Sequence, residues 1–142
     1  MAAIAEREGR FLFVEERTRD GALVLNQPAG HVEHGETLLE AVVRETLEET
    51  AWDFTPEFLV GVYLWQHPEG NASFLRITFA GMVGGQRQDW ELDEGIERAL
   101  WLTREELNDE AHRHRSPLVL KTVDDYLAGE RYPMTLLKSL LS

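Results

Sequence analysis

The sequence contains no cysteine. Disulfides, thiolate metal sites and a cysteine nucleophile are therefore excluded together, and a reducing cytoplasm is the expected compartment. Positive charge is scarce: Lys and Arg total 14 against 26 Asp and Glu, a formal net charge of −12. Duplex nucleic acid and anionic membranes need a basic face, so neither a nucleic-acid polymer nor a membrane is expected as a partner. No apolar run approaches the roughly 20 residues of a membrane span. The opening MAAIAEREGR lacks the basic start and long apolar stretch of a secretory signal. Low-complexity blocks, internal repeats and linkers are missing as well. The chain reads as one domain, 1–142, long enough to bury about 68–70% of its unfolded surface. So acidic a chain suits a small anionic substrate only if something positive mediates, such as bound metal ions.

What is present reads as interleaved strands and helices. Ala3 and Ala5, then Phe11 and Phe13, suggest two strands around a Glu8-Gly9 turn, the first with a ragged start at Met1. Asp20-Gly21 marks a second turn before a short strand, Ala22 to Leu25, followed by the irregular Asn26-Gln27-Pro28-Ala29-Gly30. Thr37 to Thr50 reads as a helix. Thr37 and Glu40 form a capping box, and Leu39, Val43 and Thr46, flanked by Val42 and Leu47, make its buried stripe. Strands are expected over Phe58 to Trp65, Phe74 to Val83 (ended by Gly84-Gly85) and Ala99 to Leu102. Thr103 to Leu107 should form a short helix. Ser116-Pro117 should open another that stops at Gly129, and Pro133 to Leu141 a last helical turn or two. The pattern predicts a mixed α/β or α+β layer fold.

The segment Gly30 to Trp52 carries the chemistry. Six glutamates lie between residues 33 and 49, and Glu45, Glu48 and Glu49 fall at i, i+3 and i+4 of the expected helix. Three like charges so close repel unless a cation sits among them. Hard oxygen donors on one rigid face suit Mg²⁺, with Mn²⁺ as an alternative. Arg44, four residues before Glu48, can pair with it or hold a neighbouring carboxylate in one orientation. A charge run of this kind is more often only a solvated face.

The order of these residues decides against that bland reading. Gly30, Glu36, Arg44-Glu45 and Glu48-Glu49 follow G-x5-E-x7-R-E and then E-E, with apolar Trp52 closing the run. This resembles the Nudix box of the Nudix hydrolases. Two positions depart from it: Thr46 replaces an apolar residue at a half-buried site, and Ala51 replaces a helix-ending glycine. The likeness extends through Asn26 to His31, Phe74 to Arg76, Arg115 to Val119 and Gly129 to Pro133. These words resemble the subgroup of Nudix phosphatases acting on nucleoside di- and triphosphates and on hydroxymethylpyrimidine pyrophosphate.

The resemblance implies a Nudix fold, an α/β/α sandwich around a mixed β-sheet, and Mg²⁺-dependent cleavage of a small-molecule phosphate anhydride. It implies Glu48 and Glu49 as metal ligands, Glu45 as ligand or general base, and Arg44 as the residue that orients Glu45. It further implies Glu36 as a brace on Arg44, Gly30 as a structural position, and the Ala29 carbonyl as another metal ligand. Substrate contacts are expected from Gln27, His31, Arg76 and Arg115, with turn, loop or surface roles as the plain alternatives. Trp65 and Phe79 suit either ring stacking or the core. His112 to Arg115 form the one basic patch, and Lys121 is a further candidate for phosphate. The acid that many relatives supply from a later loop is unassigned. Gly95 stands where it would be expected, and Asp93, Glu94, Glu97 or none of them fills the role, with a solvated loop as the plain alternative for each. Rival functions are a Nudix pyrophosphohydrolase for an oxidised nucleotide, ADP-ribose or a dinucleoside polyphosphate, and a non-catalytic nucleotide-binding module. A monomer or weak homodimer is expected.

Overall fold

The structure is a computed structural model that describes residues 1–141. Strands β1 (Ala2–Arg7) and β2 (Arg10–Arg17) form a hairpin, with Glu8 and Gly9 both at positive φ in its turn. β3 (Leu23–Asn26) and β6 (Ile96–Thr103) flank β2 antiparallel. β1 leaves the hairpin to pair parallel with β5 (Ser73–Gln86), and β5 pairs antiparallel with the edge strand β4 (Trp52–Gln66). The result is a six-stranded mixed sheet, the α+β architecture expected.

Strand alternation divides the core in two. Ile4, Phe11 and Phe13 point to one side, where Val119 and Val123 of α3 (Leu118–Leu127) and Leu107 of α2 (Arg104–Asp109) meet them. Ala3, Ala5 and Leu12 point to the other, against Val42 of α1 (Leu38–Thr50) and Phe79. Sheet sandwiched by helices is therefore a consequence of period-two patterning in β1 and β2. The start of β1 is not ragged: Ala2 and Ala3 are buried and registered against Thr78 and Phe79. Small side chains let this central parallel pair sit between two packed faces. No helix among the described residues is long and apolar enough to cross a membrane.

The expected Thr37–Glu40 capping box forms, and the structure adds a second, Thr103 with Glu106. At α3, Ser116 Oγ accepts the Leu118 N–H at 3.2 Å, and Gly129 follows the helix at φ +88°. Other expectations need correction. The buried face of α1 is Ala41, Val42, Thr46, Glu49 and Thr50, whereas Leu39 is exposed. Thr46 is fully buried rather than half-buried. Its hydroxyl donates to the Val42 carbonyl at 2.8 Å, which removes the cost of burying it. β5 runs through Gly84-Gly85 to Gln86 because β4 begins early, at Trp52, and gives those residues a partner. The tail has only one 3₁₀ turn, Met134–Leu136. Tyr132 is tied to the edge of β4 by reciprocal hydrogen bonds with Leu59, and the backbone is extended again at Leu137.

Candidate active site

The loop after β3, helix α1 and the loop before β6 converge at one end of the sheet. A Cβ at Gly30 would overlap the carboxyl group of Glu45, so only glycine leaves that carboxylate where it is. At the far end of α1, Ala51 adopts φ +65°, the left-handed conformation a glycine takes without strain, and its N–H still reaches the Leu47 carbonyl at 2.9 Å. The departure from glycine therefore costs backbone strain but leaves the helix exit intact.

Arg44 is the hub of the α1 surface. Its guanidinium grips Glu36 at 2.7 and 3.0 Å, Glu45 at 2.7 Å and Glu48 at 2.9 Å, and donates to the His31 carbonyl at 2.9 Å. Glu36 also accepts the Glu33 N–H, and the two donors together hold its pKa at about 2. The brace expected between Glu36 and Arg44 is present, and Glu45 is fixed in orientation.

One turn further along, the environment inverts. Glu49 is buried, and the Ala29 N–H donates to its Oε1 at 3.0 Å. Burial pushes its pKa up to about 8, opposed chiefly by that N–H and aided by repulsion from Glu45, Glu16 and Asp93. Glu45 is raised too, chiefly by burial, with Arg44 working against the shift. Asp93 is raised by burial and by the nearby charge of Glu48. One carboxylate oxygen from each of Glu45, Glu49 and Asp93 lies within 4.8 Å of the others.

Asp93 is thus the acid of this loop that meets Glu45 and Glu49, a placement the sequence left open. Its N–H donates to the Glu48 carbonyl at 3.0 Å, so the loop is pinned onto α1. Asp93 is itself exposed, as is Glu94, but neither Glu94 nor Glu97, which pairs with Arg17, brings a carboxylate oxygen into the cluster. Glu48 also stands apart from it, engaged by Arg44. Glu16 was missed altogether. It lies mid-strand in β2, accepts from Asn26 Nδ2 at 3.3 Å and sits 3.5 Å from Arg115. Its only signal in the sequence is a polar residue where β2 should alternate.

The remaining candidates form the wall beside this cluster. Gln27 is 1% exposed. Its amide donates to the Val119 carbonyl at 2.7 Å and accepts from Arg76, so it braces β3 against α3 rather than facing substrate. Arg76 is held by two neutral oxygens, from Gln27 and Asn26, each at 3.2 Å. Burial lowers its pKa, with Glu16 and Glu49 opposing. His31 is exposed and uses its carbonyl, not its ring, to hold Arg44. Phe79 belongs to the core. The basic patch is largely neutralised in place: Arg113 pairs with Glu15 and Glu110, His114 meets the Leu107 carbonyl, and Lys121 pairs with Asp125.

Comparison with known proteins agrees with this geometry. Residues 1–122 match the NUDIX domain family. The chain is 37% identical over 137 residues to the Escherichia coli K12 protein named phosphatase NudJ, covering 96% of this chain and 88% of that protein. A NUDIX hydrolase from Nitrosomonas europaea is 44% identical, with a TM-score of 0.95 over 98% of this chain and 94% of that one. A Caenorhabditis elegans Ap4A hydrolase shares the fold alone, at 18% identity and TM-score 0.61 over 90% of this chain and 94% of that one. The chain belongs to the NUDIX family of hydrolases that act on phosphorus-containing anhydrides.

Proposed function

We propose that the chain is a single-domain, Mg²⁺-dependent phosphatase that releases phosphate from nucleoside di- and triphosphates or from hydroxymethylpyrimidine pyrophosphate. The observation that carries the metal requirement is the buried Glu49 beside Glu45 and Asp93 with no side-chain cation against it. Three hard oxygen donors converging in a partly dry site fit a small divalent cation, with Mn²⁺ able to substitute. Glu45, Glu49 and Asp93 would hold the ion, with Glu48 and the Ala29 carbonyl as neighbouring oxygens. When bound, the ion supplies charge neutralisation at the phosphoryl oxygens and acidifies a water.

The chain's own residues do the rest. Arg44 engages one oxygen of Glu45 and leaves the other to take a proton from the attacking water or to bind the ion. Glu36 keeps Arg44 in place. Arg76 and Arg115 bring positive charge to the wall where the phosphates of the substrate enter. The name of the NudJ relative supports phosphatase chemistry, and the 44% identical hydrolase supports the fold and the family.

The test is phosphate release, with and without Mg²⁺, from nucleoside di- and triphosphates, hydroxymethylpyrimidine pyrophosphate and ADP-ribose. Turnover of the first groups, abolished by chelator, is expected. A tenfold preference for ADP-ribose, or turnover indifferent to chelator, overturns the reading.

A further inference from the structure

A cavity of about 610 Å³ opens between the end of β4 and the start of α3. Its lining includes Trp65, His67, His114, Arg115, Leu120 and Lys121. It lies outside the acidic cluster, yet the sheet connects the two. Tyr63 pairs with Arg76 and Trp65 with Phe74 across β4 and β5. Residues two apart share a sheet face, so Trp65 and Phe74 follow Arg76 on its face about 7 Å further along. Arg115 lines the cavity and sits 3.5 Å from Glu16, whose charge reaches Glu49. Glu16 in turn accepts from Asn26, which accepts from Arg76, so Arg115 ties the cavity lining to the polar group beside the acidic cluster.

The chemistry of the cavity suits a planar ring. Trp65 stacks on Phe74 at 5.5 Å and 28°, and His67 meets its edge at 5.5 Å. These contacts hold the indole in one orientation while it still lines the opening. Leu120 gives an apolar floor. Arg115 is half-exposed at the mouth nearest the acidic cluster, where it can meet the phosphates.

We propose that this cavity is the ring subsite of the enzyme: the heteroaromatic group of the substrate stacks on Trp65 while its anhydride lies past Arg115 toward Glu45, Glu49 and Asp93. The inference rests on the hydrolase reading for its orientation, but ring binding is measurable without turnover. Stacking of one base on an aromatic side chain corresponds to roughly tenfold in affinity when the side chain is truncated.

Equilibrium binding of adenosine diphosphate, cytidine diphosphate and ringless inorganic pyrophosphate, with Mg²⁺ and in a Glu45→Gln background that stops turnover, tests it with Trp65 intact, Trp65→Ala and Trp65→Phe. The expected result is about tenfold weaker binding of at least one nucleotide to Trp65→Ala. Pyrophosphate binding should be unchanged, and Trp65→Phe should restore most of the loss. In turnover, with Glu45 in place, Trp65→Ala raises KM and leaves kcat within twofold. Equal weakening for pyrophosphate, no weakening for either nucleotide, or a fall in kcat alone overturns the subsite. If nucleotides bind through Trp65 but the wild type releases no phosphate, the subsite stands and the phosphatase reading fails.

Discussion

Two glutamates are buried in this molecule, and they are treated in opposite ways. Glu15, on β2, is clasped by Arg98 at 2.5 Å and Arg113 at 2.7 Å. These arginines hold its carboxyl below the usual range despite burial. Glu49, on α1, has a backbone N–H and two carboxylate neighbours, and its carboxyl is driven up to about 8. Burial alone distinguishes neither. The counter-charge does: Glu15 carries its own arginines, whereas Glu49 is met by a backbone N–H and by like charges. A desolvated carboxylate among like charges is costly in isolation. Its persistence points to a ligand that repays the cost.

The largest effect should come from breaking the unpaired side. Glu49→Gln should lower kcat/KM by at least about a hundredfold, with metal-free stability equal to or above wild type. Asp93→Asn should fall in the same direction, by about tenfold or more, in the same phosphate-release assay. The reverse pattern is expected at the paired side. Glu15→Gln should cost about 2 kcal/mol in urea unfolding, less than a fully dry pair because Arg98 is largely exposed, with kcat within twofold of wild type.

The acids should also give opposite pH slopes. Glu15 has a depressed pKa, so the stability it contributes is present above the ordinary carboxylate range and is lost as pH falls through it. Glu49 has a raised pKa, so metal-free protein should lose stability as pH climbs from about 4.5 toward about 8. Thermal unfolding of metal-free protein between pH 5 and 8 checks this. Saturating Mg²⁺ should flatten the decline, by about 5 °C at pH 8. The smallest effect should be Ala51→Gly, which relieves the left-handed alanine without touching either cluster. A gain of about 0.5 kcal/mol with unchanged kcat is expected.

How far the sequence could be read follows the same division. The Thr37–Glu40 capping box, the Arg44 hub and the glycine under Glu45 are local: spacing within one loop and helix decides them, and each was legible. Asp93 and Glu16 were not, because their place depends on how β2 and the loop before β6 pack against α1. Gln27 could be read as facing substrate until α3 was seen to supply Val119 as its partner. The stripe on α1 was misread for a related reason. Leu39, placed on that stripe, is exposed, while Thr50 is buried because its hydroxyl returns a hydrogen bond to the Thr46 carbonyl at 2.6 Å, so polarity at that position was no guide to exposure.

The central claim is that Glu49 is held protonated for want of a cation and yields its proton when one binds. Calorimetric titration of Mn²⁺ into metal-free protein at pH 6.5, repeated in buffers of different ionisation enthalpy, measures this directly. Release of close to one proton per ion bound is expected in the wild type, with none and a much weaker affinity in Glu49→Gln. Binding without proton release, or an affinity that Glu49→Gln leaves unchanged, would contradict the account.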